Sequence, residues 1–155
     1  MIFGMRTVFF RAAGIAAVAV LLQIVTSVSV GARPDYVLVT LVTLGAILTF
    51  GELVVLTAGS VLLLLSRPDG GIALLIFIAL PLAASVARRY VPWRSWFANL
   101  LLILAAGMLF LAATAPRAYV DAPLAVAEVL IADVLVGMLV YGMMQERAIR
   151  RRGAA

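Results

Sequence analysis

The chain has 155 residues, of which 66% are hydrophobic and 12% are charged, and its mean hydropathy is +1.21. A soluble domain carries about a quarter charged residues, and a protein this small has too little interior to bury such an apolar excess. The composition therefore predicts an integral membrane protein. The net charge is +5, and every basic residue is an arginine. In a membrane protein such an excess first suggests that arginines set the orientation in the membrane and contact anionic lipid, and only then that they bind nucleic acid. Cysteine and histidine are both absent, which excludes disulfide frameworks, thiolate nucleophiles, the usual Cys/His zinc sites and histidine-based triads.

The first apolar segment covers residues 12–30, with Arg6 and Arg11 before it. Its length suits a hydrocarbon layer of about 30 Å. A cleaved signal peptide is the alternative, because the segment ends in small residues. The stretch is long for a signal peptide and carries Gln23, so we expect a membrane helix.

The next apolar run, residues 37–65, is interrupted by Gly51 and Glu52. As one helix it would be about 43 Å long, and as two arms each would reach only about 21 Å. Six segments with the N-terminus inside place nine arginines inside and three outside, whereas five segments place four inside and eight outside. The inner set for six segments is Arg6, Arg11, Arg88, Arg89, Arg94, Arg147, Arg150, Arg151 and Arg152, and the outer set is Arg33, Arg67 and Arg117. The positive-inside rule favours six segments.

In the six-segment arrangement Glu52 lies at or near the tip of a cytoplasmic hairpin, and Gly51 provides the turn. The alternative keeps Glu52 partly submerged, because two arms this short do not clearly reach the inner surface.

Three further segments follow, and the second of them is free of proline and of charge. Pro81 lies inside the first, where a membrane helix tolerates a kink, and Pro123 begins the last at a favoured first-turn position. We expect a single all-α domain over residues 1–155, a bundle of six hydrophobic helices with the second and third forming a tight hairpin. Both termini are expected in the cytoplasm. The segments are 12–30, 37–50, 53–65, 72–87, 96–115 and 123–143, with a basic tail at 144–155.

Two outer loops share the stretch Arg-Pro-Asp. The first forms the motif Arg33, Pro34, Asp35 and Tyr36, and the same three residues recur at 67–69. The match hints at an internal repeat. The alternative is a favourable helix start, with Asp near the positive end of the helix dipole.

The inner loop between the fourth and fifth segments is basic and aromatic. We interpret it as an interfacial anchor with its aromatic rings at headgroup level, and the alternative is a docking site for a cytoplasmic partner. Its residues are Arg88, Arg89, Trp93, Arg94 and Trp96.

Two carboxylates lie inside the last segment. Asp133 is about 15 Å from Pro123 along the helix and Glu128 about 8 Å, and the two are about 140° apart around the axis. A charge at the depth of Asp133 is costly and usually faces a partner or a cavity. Asp133 is therefore protonated, bonded to polar side chains such as Gln23 or Asn99, or in contact with another protein.

Small residues cluster in several segments, among them Gly51 and Gly59. Close helix approach in lipid needs such residues, so these glycines are candidate contacts with a partner or with lipid, together with Glu52, Glu128 and Asp133. The sequence shows no phosphate-binding loop, metal cluster or nucleophile–base pair. We expect no enzyme activity and no cofactor.

Five stretches, taken in order, resemble the rod shape-determining membrane protein family MreD. They are LLQI (21–24), RPDYVLVTLV (33–42), TAGSVLLLL (57–65), DGGIALLIF (69–77) and MMQERAIRRR (143–152). The resemblance extends over nearly the whole chain in the order and length of its segments. One departure is the acidic residue that the family commonly carries at the end of the second short arm, where this chain has Leu64 and Leu65.

The resemblance implies a non-enzymatic protein of the bacterial inner membrane that works with MreC-like and wall-synthesis proteins of the elongation complex in cell-shape control. It also implies a fold related to the substrate-binding subunits of energy-coupling-factor transporters. The alternative function is therefore a transporter subunit with a polar pocket open to the outside. Membrane lipid is an expected partner and nucleic acid is not. Self-association into a homo-oligomer is a further possibility.

Overall fold

The computed structural model describes residues 2–26, 35–45, 47–64, 71–90 and 96–152, with the backbone alone at 2–6, 64, 72, 88–90 and 145–152. Over these ranges the only secondary-structure elements are seven α-helices. They are α1 (Ile2–Thr26), α2 (Tyr36–Gly45), α3 (Phe50–Leu64), α4 (Ile72–Tyr90), α5 (Trp96–Thr114), α6 (Ala118–Asp121) and α7 (Pro123–Arg152).

Three of these helices are long and apolar enough to cross a membrane: Thr7–Thr26 within α1, Trp96–Thr114 and Pro123–Met144 within α7. The apolar parts of α2, α3 and α4 are shorter. Many large apolar side chains of the long helices point outward, as expected where the solvent is lipid. Phe10, Leu109 and Leu135 are examples, with 59–70% of their surface exposed.

The first and the last helix of the chain, α1 and α7, are longer than the predicted segments. α1 begins at Ile2, ten residues before the predicted start, because no proline breaks residues 2–11. Residues 27–30 of the predicted segment lie outside the described part. α7 continues through the predicted tail to Arg152, since good helix formers fill residues 144–152 and arginines suit the negative end of the dipole.

The chain breaks between α2 and α3 at a different place from the one predicted. Leu44 accepts backbone hydrogen bonds from Ile47 and Leu48, both of 2.8 Å, which closes α2. Helix α3 has already begun at Phe50. The prediction that Gly51 provides the turn is therefore wrong, because Gly51 lies inside the first turn of α3.

Helix α2 occupies the centre of the molecule. It packs against α1, α3, α4, α5 and α7, and every residue from Val37 to Gly45 is buried. Its sequence, YVLVTLVTLG, has no charged face, as expected for a helix that is covered on all sides. The other helices therefore form a wall around a short central helix.

Two glycines set the closest packing around α2. A Cβ on Gly45 would lie 3.1 Å from the carbonyl oxygen of Pro81 in α4. A Cβ on Gly137 of α7 would meet both Ile103 of α5 and Val39 of α2. Glycine at these points lets the helix backbones approach closely, which is how helices associate in lipid.

The contacts of Gly137 also fix the relative directions of three helices. Val39 of α2 is next to Gly137 of α7, and Asp35 is next to Asp133. Four residues back along α2 therefore correspond to four residues back along α7, so the two helices run in the same direction. Ile103 also lies at Gly137, whereas Gly107, four residues later, lies at Asp133, so α5 runs in the opposite direction.

Candidate functional site

The first turn of α2 is a partly buried helix start: Asp35 and Tyr36 are half-buried, and the residues that follow are buried. The first N–H groups of any helix have no partner within the helix. In a lipid-embedded bundle no bulk water can satisfy them, so the protein itself must supply the acceptors. Three side chains from three parts of the chain do so here.

Asp35 immediately precedes α2 and caps it. Its Oδ1 accepts a hydrogen bond of 3.0 Å from the backbone N–H of Leu38, and its carbonyl accepts one of 3.0 Å from Val39. This is the geometry of an aspartate N-cap. Asp35 therefore occupies the helix start that the Arg-Pro-Asp stretch suggests, while Arg33 and Pro34 lie outside the described residues.

Two further N–H groups at this helix start are satisfied by neighbouring helices. Oε1 of Gln23, on α1, accepts a hydrogen bond of 2.9 Å from the backbone N–H of Tyr36. The carboxylate of Asp133, on α7, accepts a hydrogen bond from the backbone of Asp35. Gln23 and Asp133 thus hold α1 and α7 against the same end of α2. Negative charge at this end is also favoured by the helix dipole.

Asp133 is an internal residue, only 3% exposed. Its Oδ2 lies 3.4 Å from the position that a Cβ on Gly107 would occupy, so the small residue on α5 leaves room for the carboxylate. Its Oδ1 has no hydrogen-bond partner among the described residues. Asn99 does not bond to Asp133, because neither of its amide atoms has a partner among the described residues. Oε1 of Gln23 accepts from the backbone N–H of Tyr36.

Glu52 acts on its own helix. Its Oε2 accepts hydrogen bonds from the backbone N–H of Thr49, at 3.0 Å, and from the hydroxyl of Thr49, at 2.8 Å. Leu53 donates to the Thr49 carbonyl at 3.0 Å, so Thr49 is the N-cap of α3. Glu52 thus makes its half of a capping box, a signal that the sequence carries as Thr-x-x-Glu at 49–52, while the Thr49 hydroxyl donates to the carboxylate.

The other candidate residues lie on the outside of the molecule or beyond the described part. Gly51 and Gly59 are exposed on α3, and no heavy atom lies within 4 Å of a Cβ built on either. Glu128 is exposed on the same face of α7 as Leu124 and Ile131. It lies among apolar side chains that face lipid, well apart from the buried Asp133.

The basic, aromatic inner loop is described only at its edges. Trp96 starts α5, is 57% exposed, and packs edge-on against Phe97 with ring centroids 6.1 Å apart. An exposed tryptophan at a helix end suits an interfacial anchor. Arg88 and Arg89 lie in the last turn of α4 with only their backbone described. Trp93 and Arg94 lie outside the described residues.

The sequence suggests Gln23 as a hydrogen-bond partner of Asp133 and carries no signal that joins either residue to Asp35. The N-cap signal of Asp35 was visible in the sequence. That Gln23 and Asp133 complete the same cap depends on the packing of α1 and α7 against α2.

Comparison of the chain with protein-family models, with curated proteins and with solved structures finds no match in any of the three.

Proposed function

We propose that this protein is a non-enzymatic, multi-pass component of the bacterial inner membrane that supports cell shape and peptidoglycan synthesis. In this proposal it contacts MreC-like and wall-synthesis proteins of the elongation complex. The proposal starts from the resemblance of five sequence stretches to the MreD family. The observation that supports it best is an exposed face of α3 that carries three small residues.

This face, the α3 face, is regular and has no cover among the described residues. Its members recur every three or four positions and all are exposed, whereas Leu53, Thr57 and Ser60 on the opposite side are buried. A partner helix could approach the backbone closely along such a face. The α3 face consists of Gly51, Val55, Ala58, Gly59 and Leu62.

The helix directions support the proposed six-segment topology. If each apolar segment from α1 to α7 crosses in turn, with α6 as a short connection, α2 and α7 run the same way and α5 runs opposite to both. The contacts of Gly137 give these directions. A single crossing over residues 37–65 would instead make α2 and α7 antiparallel. With arginine counts favouring cytoplasmic termini, the α2–α3 connection then lies on the cytoplasmic side.

The transporter-subunit alternative needs a polar pocket that opens to the outside. Sequence analysis offers Gln23, Thr40, Thr43, Asn99 and Glu128 for such a pocket. Gln23 is engaged at the start of α2, and Glu128 is exposed on α7. The buried threonines and Asn99 do not replace them at the outer end, so contact with partner proteins is the better-supported function.

A bulky residue on the α3 face tests the proposal. We expect Gly59→Leu to weaken association with an MreC-like partner by about 5- to 100-fold, since misfit at a close-packed contact typically costs about 1–3 kcal/mol. The measurement is recovery of companions with the tagged full-length protein from its host in mild detergent, read by mass spectrometry. Cells relying on this variant should lose their rod shape.

The matched control is Gly14→Leu on α1, because a Cβ on Gly14 also has no heavy atom within 4 Å. This variant should keep both the companions and the cell shape. Recovery of paired ATPases with a membrane coupling subunit would reject the proposal in favour of the transporter alternative. Equal loss of companions in both variants would reject the assignment of the α3 face.

A further inference from the structure

Three buried side chains near the far end of α2 lack hydrogen-bond partners. Asn99 is 3% exposed, and neither its amide nitrogen nor its amide oxygen is bonded. Thr40 and Thr43 are 1% and 0% exposed, and neither hydroxyl has a partner. Each of these absences holds across the part of the chain that the structure describes. Leaving such groups unpaired is costly, and native proteins rarely do so.

The two threonines differ from three other hydroxyl residues in these helices. Thr26 and Thr114 donate to the backbone carbonyl four residues earlier, at 2.7 and 2.8 Å, and Ser85 donates to the carbonyl of Leu82 at 2.8 Å. A hydroxyl in a helix thus normally satisfies itself on its own backbone. Thr40 and Thr43 do not, so their hydroxyls remain available for something outside α2.

Helix register brings Asn99 and Thr43 to the same level. Val39, Ile103 and Gly137 meet at one point of the seam between α2, α5 and α7. One turn further along, residues on the same faces follow at intervals of four. Because α5 runs opposite to the other two helices, this step leads to a set that we name the amide layer. The amide layer consists of Thr43, Asn99 and Tyr141, which are 0%, 3% and 6% exposed.

We propose that the amide layer is a binding site for buried water. An asparagine amide offers two donors and an acceptor, and a hydroxyl offers one donor and two acceptors. A buried water typically makes about three hydrogen bonds to such groups. Asn99 and Thr43 supply two, and Tyr141 or Thr40, one turn back on α2, supplies a third.

The chemistry of the layer favours an uncharged ligand over an ion. None of its three side chains carries a formal charge at neutral pH. Asp133 lies eight residues before Tyr141 on α7, about 12 Å away along the helix. The packed contact of Gly137 with Val39 and Ile103 separates the two levels. Water bound here would connect α2 to α5 by hydrogen bonds that the protein does not make directly.

The chain allows a direct test, because Asn99 is its only asparagine. Selective ¹⁵N labelling of asparagine gives a single side-chain amide signal from the purified full-length protein in nanodiscs. We expect a through-space cross-peak from this amide to water in a rotating-frame experiment, where its sign is opposite to that of chemical exchange, and we expect it to weaken in Thr43→Val. Absence of the cross-peak, or a cross-peak to a co-purified organic molecule, would overturn the assignment to water.

Thermal stability provides an independent test, because the substitutions should shift the unfolding midpoint in opposite directions if water is bound and if the site is empty. If water is bound, Asn99→Leu and Thr43→Val each lower the midpoint of thermal unfolding by about 2–4 °C or more. The double variant loses less than both shifts together, because both residues share the ligand. If the site is empty, apolar residues of similar volume remove unpaired groups and raise the midpoint, which would overturn the proposal.

The matched control is Thr57→Val on α3. Thr57 is also buried and without a partner among the described residues, but it lies on a different helix, outside the seam. Its shift should add fully to that of Asn99→Leu. Additive behaviour of Thr43→Val with Asn99→Leu, equal to that of the control, would contradict a shared water.

Discussion

The side chain of Asp133 shows how one buried carboxyl group can have a structural task in a membrane protein. A carboxylate far from either helix end invites assignment to an ion path or a partner contact. Here it accepts a hydrogen bond from the backbone at the start of α2, where the helix dipole favours negative charge. Its cost is offset by an N–H group that would otherwise lie unpaired in the bundle.

Replacing Asp133 should therefore destabilise the bundle according to what the new side chain can accept. We expect Asp133→Leu to lower the free energy of unfolding by about 1–3 kcal/mol, because the Asp35 amide loses its acceptor. Asp133→Asn keeps an acceptor oxygen and should lose less. The measurement is denaturation of the purified protein by SDS titration. Glu128→Leu, which removes an exposed carboxylate from the same helix, is the control and should not destabilise.

At the scale of elements, α2 and α3 show two solutions to starting a helix. Helix α3 begins on its own residues, since the Glu52 carboxylate accepts from the backbone N–H and the hydroxyl of Thr49. Helix α2 begins with help from α1 and α7 as well as from Asp35. A locally capped helix can form early and alone, whereas a cap assembled from three elements forms only when the helices have packed.

The local cap of α3 can be removed without touching the core. We expect Glu52→Ala to lower the free energy of unfolding by about 0.5–2 kcal/mol, the usual cost of losing a capping interaction. Glu52→Gln retains an acceptor oxygen for the Thr49 amide and should cost less. SDS titration of the three proteins measures the difference. Equal loss in both variants would show that the carboxylate acts otherwise than as a cap.

At the scale of the whole molecule, the bundle is organised around a helix that touches no lipid. Helix α2 is buried over nearly its full length, and glycines at Gly45 and Gly137 admit the surrounding helices. Since α2 is only ten residues long, about 15 Å, its two ends lie at different depths within the bundle. One end carries the carboxylate cap, and the other carries the unpaired polar groups of the amide layer.

The proposed topology places the start of α3 on the cytoplasmic side and the connection between α5 and α7 on the outer side. Because the chain lacks cysteine, a single Glu52→Cys should react with a membrane-impermeant thiol reagent from the cytoplasmic side only. Val120→Cys in α6, which is 83% exposed, should react from the outside only. Labelling of intact cells and inverted vesicles measures both. Reaction of Glu52→Cys from outside would overturn the six-segment topology.

Several features of the fold could be predicted because they depend on composition and local signals. The apolar runs at 96–115 and 123–143 predict the start of α5 at Trp96 and of α7 at Pro123. The start of α2 follows from Asp35, and the Thr-x-x-Glu stretch at 49–52 would have given the start of α3. Misreading that stretch as a turn at Gly51 came from treating glycine as a breaker inside a lipid-embedded helix.

The sequence by itself determined the helical class, the membrane-compatible character of the long segments and the presence of carboxylates in costly places. Those follow from hydropathy and chain length, which are properties of segments. Only the tertiary structure decided that α2 is central, that Gln23, Asp35 and Asp133 share one helix start, and that Asn99 and the α2 threonines lack partners among the described residues. These features depend on which faces of the helices are in contact. A helix that is apolar all round has no polar face in its sequence, so the sequence does not show which side of the helix faces its neighbours.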